Sequence, residues 1–194
     1  MRIVAGSAKG RPLKGPKGQG TIRPTADRVR ETLFNILGQW TDGLRVLDLY
    51  AGTGALGLEA VSRGAAGAVL VDRDREAVAL CRENAQALGL ADRVEVRFQP
   101  VERALSELGK LGRPFDLVFA DPPYAARVVE TVLDGVRANG LLSEEGTLVV
   151  EHDRREPAPE VHAGFARVDQ RRFGDTLCSF YRTQGGTQDA ADDS

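Results

Sequence analysis

The sequence predicts one α/β domain with a mostly parallel β-sheet, and three observations support this. Helix-length amphipathic segments such as REAVALCRENAQAL alternate with short β-rich runs, namely LRVLDLY, GAVLVD, RVEVRF, FDLVFAD and GTLVVEH. Such alternation is typical of β-α-β units with parallel strands. The later segment FARVDQRRFGDTLCSFYR holds two strand-like halves with no helix between them, which predicts an antiparallel hairpin at the end of the sheet. The 194 residues, 42% of them apolar, suffice for a single buried core.

The first part of the chain is predicted to extend this domain. RIVAGSAKGRPLK is typical of a short hairpin with apolar residues on both arms and a Gly-Ser turn between them. PTADRVRETLFNIL then places apolar residues on one face of a helix, with Thr25 as the expected N-cap. We therefore divide the chain into a basic hairpin and helix over residues 1–40, a main domain over 41–183, and an acidic tail over 184–194 that is expected to be disordered.

Positive charge is concentrated at the start of the chain. The first 30 residues contain eight lysines and arginines but only one acid, Asp27, whereas the whole chain has a formal net charge of −2. A solvated flexible arm explains this pattern. A surface that binds a polyanion explains it equally well, because the interleaved glycines let the backbone approach a ligand closely.

Other features bound the class of protein. No run has the length of a membrane span and the start lacks the apolar core of a secretory signal, so we expect a cytoplasmic protein. Cys81 and Cys178 lie in apolar periodic segments, which favours buried thiols over a disulfide or a metal pair. His152 and His162 are too isolated to indicate zinc, and we expect a monomer without a metal.

A glycine-rich motif is the first indication of a ligand. LDLYAGTGALG places Gly52, Gly54 and Gly57 in the spacing G-x-G-x-x-G, after a predicted strand and at the start of a predicted helix. Asp72 ends the next strand, 20 residues after Gly52, where a carboxylate can accept hydrogen bonds from both ribose hydroxyls. The motif therefore predicts a site for an adenosine-containing cofactor, with a purely structural turn as the alternative.

Asp48 bears on which adenosine cofactor is bound. An acid at the end of the strand would repel the pyrophosphate that a dinucleotide presents to this turn. S-adenosylmethionine has no phosphate and carries an ammonium and a sulfonium, which a carboxylate attracts. Asp48 thus disfavours a nicotinamide cofactor, although a residue that only caps the loop remains an alternative.

The stretch LVFADPPYA suggests the reaction. Asp121 follows a predicted strand, and Pro122 and Pro123 hold the next backbone extended without N–H groups, so this segment offers acceptors but few donors. If the Asp121 side chain and the Pro122 carbonyl accept both hydrogens of an exocyclic amine, its nitrogen lone pair is oriented toward an electrophile. Tyr124 can stack on the base and fix its plane. A simple turn after a buried strand is the alternative.

These residues resemble a known family. DPPY after the fourth strand, with the glycine motif upstream, is similar to the class I amino-methyltransferases. RIVAGSAKGRPLK followed by RPTADRVRETLFNIL resembles specifically the RsmD family of small-subunit (16S) ribosomal RNA guanine-N2 methyltransferases, over about residues 2–182. The resemblance implies a Rossmann-like, seven-stranded fold and S-adenosylmethionine as methyl donor. It implies a guanine as acceptor, in small-subunit rRNA or a ribosomal assembly intermediate.

The resemblance also assigns roles to residues. The catalytic loop would be Asp121, Pro122, Pro123 and Tyr124, and the cofactor would be held by Asp48, Tyr50, Gly52, Gly54 and Asp72. RNA contacts would come from Arg2, Lys9, Arg11, Lys14, Lys17, Arg23, Arg28 and Arg30.

The chain departs from the family pattern at two positions. Pro100 stands where an acid or amide commonly binds the adenine amine, so Gln99 or the Val101 backbone is expected to substitute. Asp72 stands where glutamate is frequent, which gives a shorter reach for the same role.

Alternative functions stay open at this point. A DNA adenine-N6 methyltransferase also uses an exocyclic amine, but this chain has little room for a separate target-recognition segment. A non-enzymatic RNA-binding protein on a methyltransferase scaffold would explain the basic N-terminus but not an intact DPPY. An NAD-dependent oxidoreductase is the most distant alternative.

Overall fold

A computed structural model of the protein describes residues 1–16, 24–38, 41–123 and 127–184. The predicted acidic tail therefore lies outside the described residues, except for its first residue. The same holds for three predicted site residues, Lys17, Arg23 and Tyr124.

A single mixed sheet forms the centre of the molecule. Its strands are β1 Arg45–Leu49, β2 Gly67–Asp72, β3 Val94–Phe98, β4 Phe115–Ala120, β5 Leu142–Asp153, β6 Val161–His162, β7 Phe165–Phe173 and β8 Thr176–Thr183. Their spatial order is β3-β2-β1-β4-β5-β8-β7-β6. Strands β1 to β5 are parallel, whereas β6, β7 and β8 join antiparallel to their neighbours. The parallel sheet and the C-terminal antiparallel hairpin are thus confirmed.

The sheet has eight strands rather than the predicted seven. The additional strand is β6, which has two residues and pairs only with the start of β7. A segment this short has no measurable alternation of apolar and polar residues, so no periodicity could have indicated it.

Helices cover both faces of the sheet. They are α1 Pro24–Ile36, α2 Ala55–Ser62, α3 Arg75–Leu88, α4 Val101–Gly109 and α5 Val128–Ala138, with one 3₁₀ turn at Ala91–Arg93. The helix α1 begins at Pro24, so Thr25 lies inside it and is not the N-cap that was predicted. Proline suits the first position of a helix because its φ is already helical and its missing N–H needs no partner there.

Two apolar layers separate the sheet from these helices. Residues of α1, α2, α3 and the first 13 residues pack with Phe119 and Phe180 on one face. Residues of α4 and α5 pack with Val118 and Tyr181 on the other. Alternate residues of a strand point to opposite faces, so each central strand supplies both layers.

The N-terminal hairpin packs into the first of these layers. A bridge joins Arg2 to Pro12, and Ile3 and Leu13 are buried beside α2. Gly6 has a φ of +81° and lies so close to this helix that a Cβ atom would be 1.8 Å from the Ser62 carbonyl oxygen. Only glycine fits this turn, and the close contact holds the hairpin against α2.

Candidate active site

The glycine motif forms a tight turn between β1 and α2. Gly52 and Gly54 have φ values of +56° and +76°, and Tyr50, just before them, has a φ of +61°. A left-handed backbone is strained for tyrosine, and strain of this kind concentrates at functional sites. At Gly57 a Cβ would lie 2.2 Å from Cδ2 of Leu70, so this glycine allows α2 to pack against β2.

Two aspartates tie the turn to its surroundings. Asp48 is 3% exposed, and its Oδ2 accepts the N–H of Gly57 at 2.9 Å. The Oδ2 of Asp72 accepts the N–H of Gly52 at 2.9 Å, and its Oδ1 accepts the N–H of Asp74 at the same distance. Both carboxylates therefore organise the loop itself, in addition to any bond they make to a ligand.

The predicted catalytic segment leaves the neighbouring strand. Asp121 follows the end of β4, and its N–H donates to the Leu49 carbonyl at 3.4 Å, which joins it to the end of β1. Pro122 is buried and Pro123 is exposed, and neither has an N–H group. The carboxylate of Asp121 has no hydrogen-bond donor among the described residues and is free to accept bonds from a ligand.

A cavity of about 440 Å³ opens between the glycine turn and the end of β4. Four of the predicted catalytic and cofactor-binding residues line it, namely Asp48, Tyr50, Gly52 and Asp121, and so does Arg30 of the predicted RNA-binding set. The described lining does not include Gly54, Asp72, Gln99, Val101, Pro122 or Pro123. The structure therefore brings the methionine half of the predicted cofactor site and the catalytic carboxylate to one cavity.

The predicted adenosine half lies beside this cavity, at the ends of β2 and β3. Asp72 pairs in register with Phe98, and the N–H of Gln99 donates to the Asp72 carbonyl at 3.0 Å. Val101 begins α4 immediately afterwards. The roles of Asp72, Gln99 and Val101 toward adenosine remain predictions, with their positions now fixed at adjacent strand ends.

Sequence reasoning missed most of the wall opposite the glycine turn. Val29 and Leu33 of α1 line the cavity beside Arg30, which the resemblance assigns to RNA and not to this wall. Phe173 and Thr176 at the tip of the β7–β8 hairpin and Glu151 of β5 line it too. Glu151 carried a usable signal, because an acid after a run of apolar strand residues is the same pattern as Asp121. The hairpin tip carried none, because its place beside β5 depends on the strand order.

Burial in this cavity shifts the acids toward their neutral forms. Loss of hydrating water raises the pKa of Asp48 to about 8, with smaller contributions from the charges of Asp121 and Asp72. The same cause raises the pKa of Asp121 to about 6 and that of Glu151 to about 7, and the Asp121 charge adds to the latter. A cationic ligand would offset these costs, since it favours the ionised carboxylates.

These features test the fit of the two cofactor classes. No described cation forms an ion pair with the carboxylates that line the cavity. A Cβ atom built at Gly52 would have no atom within 4 Å, so a ligand can approach the backbone there. An ammonium and a sulfonium fit such surroundings. A pyrophosphate would face Asp48 and Asp121, so the residues present fit S-adenosylmethionine and do not fit a dinucleotide.

The N-terminal cations divide into structural and free groups. Arg11 donates to the carbonyls of Ala87 and Leu88 at the end of α3, and Lys14 pairs with Glu83. These two side chains dock the hairpin onto α3, which leaves them less available to RNA than the sequence suggested.

Arg30 corrects one prediction. Its side chain is 4% exposed and its guanidinium pairs with Asp27 at 2.8 Å and with the fully buried Glu59 at 3.3 Å. Glu59 also accepts the N–H groups of Val4 and Ala5 at 2.8 and 2.9 Å. Because its charge is neutralised inside the protein, Arg30 holds the hairpin, α1 and α2 together and does not present a free cation to phosphate.

A second groove lies on the surface of the same segment. It has a volume of about 550 Å³ and runs between the hairpin and α1. Lys9 and Arg28 line it, are exposed, and have no hydrogen-bond or ion-pair partner for their side chains among the described residues. Arg2 lines it too and lies 3.8 Å from Asp27. The free positive charge of the described N-terminus is therefore at this groove.

Comparisons with known proteins agree with this geometry. The family model described as Conserved hypothetical protein 95 matches residues 1–182. The ribosomal RNA small subunit methyltransferase D of Escherichia coli K12 is 35% identical over 192 residues, which cover 99% of this chain and 94% of that protein. The chain belongs to the family of this model. This family is the RsmD family that the sequence resemblance indicated.

Further RsmD-family relatives and solved structures support the assignment. The protein of the same name from Haemophilus influenzae is 34% identical over 163 residues, which cover 81% of each chain. A solved structure of a methyltransferase candidate from Escherichia coli has a TM-score of 0.82 at 35% identity and covers 95% of this chain and 98% of that one. A hypothetical protein from Thermus thermophilus has a TM-score of 0.77 at 33% identity and covers 94% and 99%. The predicted Rossmann-like class I methyltransferase fold is confirmed.

Among the helices of the described ranges, none is both long and apolar enough to cross a membrane.

Proposed function

We propose that this protein transfers a methyl group from S-adenosylmethionine to the exocyclic N2 amine of a guanine in small-subunit rRNA. The observation that carries the proposal is the position of Asp121. Its carboxylate, which has no partner among the described residues, lines the same cavity as the glycine turn and is followed by two prolines. The relatives named ribosomal RNA small subunit methyltransferase D, similar to this chain along nearly its whole length, supply the substrate class.

The donor-poor segment suits an amine acceptor. An exocyclic amine on a base is a weak nucleophile because its lone pair is delocalised into the ring. If the Asp121 carboxylate and the Pro122 carbonyl each accept one amine hydrogen, the nitrogen is oriented and its lone pair is freed from the ring. The methylated nitrogen then releases a proton, which the Asp121 carboxylate or water can accept. Tyr124, outside the described residues, is proposed to stack on the base.

S-adenosylmethionine supplies an electrophilic methyl group carried on a sulfonium. Asp48, Tyr50, Gly52 and Gly54 are proposed to hold its methionine part, because three of them line the cavity and Gly54 shapes the turn. Asp72 is proposed to hold the ribose. The adenine contact is assigned to Gln99 or to the Val101 backbone, at the adjacent end of β3.

Two features oppose the alternative functions. A DNA adenine-N6 methyltransferase needs a segment that reads its target sequence, and the described chain is accounted for by the methyltransferase sheet, its helices and the N-terminal hairpin. A non-enzymatic RNA-binding protein would not need an unpaired carboxylate at the cofactor cavity. The rRNA methyltransferase accounts for the cavity and the basic groove together.

The direct test maps modified nucleotides by mass spectrometry in rRNA from cells with and without this protein. We expect one N2-methylguanine of the small-subunit rRNA to disappear in the absence of the protein. It should return with the wild-type gene and not with Asp121→Ala. An unchanged small-subunit rRNA, or loss of a methylated adenine instead, would overturn the proposal. Incubation of the purified protein and labelled S-adenosylmethionine with naked rRNA or with assembly intermediates identifies the form of the substrate.

A further inference from the structure

Glu151 occupies a position on β5 that matches that of Asp121 on β4. The two strands are parallel neighbours, and Ala120 pairs in register with Val150. Asp121 and Glu151 are the next residues on each strand, so their backbones lie side by side at the same level of the sheet. Adjacent strands are about 5 Å apart, which puts both carboxylates within reach of one base.

Both side chains point to the same face of the sheet. Phe119 and Val149, two residues earlier on each strand, belong to the apolar layer under α1 and α2, and side-chain direction repeats every two residues. Asp121 and Glu151 consequently line the one cavity that the proposed function uses. On the side of β5 away from β4, Glu151 pairs in register with Cys178 of β8. Cys178 is buried in the apolar layer that also contains Phe119 and Val149.

Nothing in the described protein satisfies the Glu151 carboxylate. No hydrogen-bond donor and no cation among the described residues contacts it, although its surroundings are partly buried. Arg30, which lines the cavity together with Met1 and its terminal ammonium, is already paired with Asp27 and Glu59. A half-buried acid without a partner costs free energy, and such costs persist at sites where a ligand supplies the missing donor.

We propose that Glu151 is a specificity-determining residue that accepts a hydrogen bond from N1–H of the target guanine while Asp121 holds the N2 amine. This inference rests on the proposed function. The Watson–Crick edge of guanine presents N1–H and the N2 amine side by side, so two neighbouring acceptors match it. Adenine presents an amine beside the N1 lone pair, which the Glu151 carboxylate repels when it is ionised, at a pH above its pKa of about 7. The pair of acids thus admits guanine and rejects adenine.

The apolar wall makes this discrimination stronger. Leu33, Leu56 and Phe173 line the same cavity as the two acids and offer no hydrogen-bonding side chain to a mismatched base. A half-buried carboxylate that meets a lone pair gains no hydrogen bond in exchange for the water it loses. A site built to bond an N–H group therefore rejects an analogue without it more strongly than a site that only fits its shape.

The test compares guanine with 2-aminopurine at the methylated position of a synthetic rRNA fragment, at about pH 8, where Glu151 is mostly ionised. 2-Aminopurine keeps the amine, replaces N1–H with a lone pair and lacks O6, so the change in preference between variant and parent is what reports on Glu151. We expect the wild-type protein to prefer guanine by about 10²-fold in kcat/KM. In Glu151→Gln the amide can donate to the lone pair, so this preference should narrow by at least about tenfold, largely through a gain on 2-aminopurine.

Two controls keep the result interpretable. Glu145→Gln makes the same change at an exposed position at the other end of β5 and should leave the preference unchanged. Calorimetric S-adenosylmethionine binding checks that Glu151→Gln retains the cofactor site. An unchanged preference in Glu151→Gln overturns the inference, whether or not total activity falls. Equal rates of the wild-type protein on both bases also overturn it, independently of how the variant folds.

These outcomes are separable from failure of the proposed function. If the wild-type protein methylates no guanine in rRNA, the proposed function fails. If it methylates guanine but discriminates through another residue, only the role of Glu151 fails.

Discussion

The N–H of Gly52 donates to the carboxylate of Asp72 at 2.9 Å, a bond between residues 20 positions apart that joins the glycine turn to the neighbouring strand. The turn is therefore held in shape before any ligand arrives. One acid at the end of β2 both supports the cofactor loop and is placed to contact the cofactor, so the two roles must be separated by experiment.

Replacement of Asp72 should weaken the cofactor site. Asp72→Ala removes the acceptor for Gly52 and the proposed ribose contact, and we expect S-adenosylmethionine binding to weaken by about 1–3 kcal/mol in calorimetry. Asp72→Asn keeps one acceptor for the loop and should lose less. RNA binding should not change in either variant. Unaltered cofactor affinity in Asp72→Ala would show that Asp72 serves the loop alone.

Replacement of Asp121 should separate binding from catalysis. Asp121→Ala removes an acceptor that orients the amine in the transition state, so we expect methyl transfer to rRNA at least about 10²-fold slower in single turnover. S-adenosylmethionine affinity should stay near that of the parent. Asp121→Asn should be milder, because its amide oxygen still accepts one bond. A comparable loss of cofactor affinity in Asp121→Ala would contradict the role assigned to this residue.

Asp48 should make the stability of the free protein depend on pH. Folding raises its pKa from 3.8 to about 8 because of burial, so between these values the folded state keeps a proton that the unfolded state has lost. The free energy of unfolding consequently falls as pH rises through this window. Asp48→Asn still accepts the Gly57 N–H but cannot ionise.

The Asp48→Asn variant tests this linkage directly. The free energy of unfolding of the variant minus that of the parent should rise by up to about 3–4 kcal/mol from pH 5 to pH 8, measured by denaturant unfolding without cofactor. Its affinity for S-adenosylmethionine should fall, because the charge that faces the cofactor is lost. An equal difference between variant and parent at both pH values would show that Asp48 does not titrate in this window.

The groove between the hairpin and α1 should carry the RNA affinity of the described N-terminus. Neutralising Lys9 and Arg28 together removes two free cations, so we expect the slope of log K against log salt to flatten by about 1.4, at about 0.7 for each single-strand phosphate contact. The pair Lys110→Ala and Arg113→Ala removes the same charge near the amino end of β4, where both residues are exposed, and should leave the slope unchanged.

A second pair of variants distinguishes RNA contacts from structural cations. Arg11→Ala with Lys14→Ala should lower the melting temperature, because these side chains join the hairpin to α3. The double variant at Lys9 and Arg28 should keep the melting temperature of the parent, since no described residue forms a hydrogen bond or ion pair with either side chain. If both pairs change the salt slope equally without affecting stability, the N-terminal surface binds RNA diffusely and the groove has no special role.

Features with a local physical cause could be predicted from the sequence. Alternating strands and helices, the glycine turn and the rigid DPP segment each arise from the conformational preferences of neighbouring residues. The same holds for the order of Gly52, Asp72 and Asp121 along the parallel strands. Because the carboxyl ends of such strands meet at one edge of the sheet, the sequence alone was enough to place these residues near one site.

Features that depend on distant contacts were decided by the tertiary structure. Arg30 looked like one more cation of a basic segment, and only the approach of Glu59 on α2 made it a buried structural residue. Glu151 joined the site because β5 lies beside β4, and Phe173 because β8 and β7 continue the sheet beyond β5. The burial of a side chain and the partner of its charge depend on residues that lie tens of positions away in the chain. A local sequence pattern contains no information about which of these distant residues will come into contact.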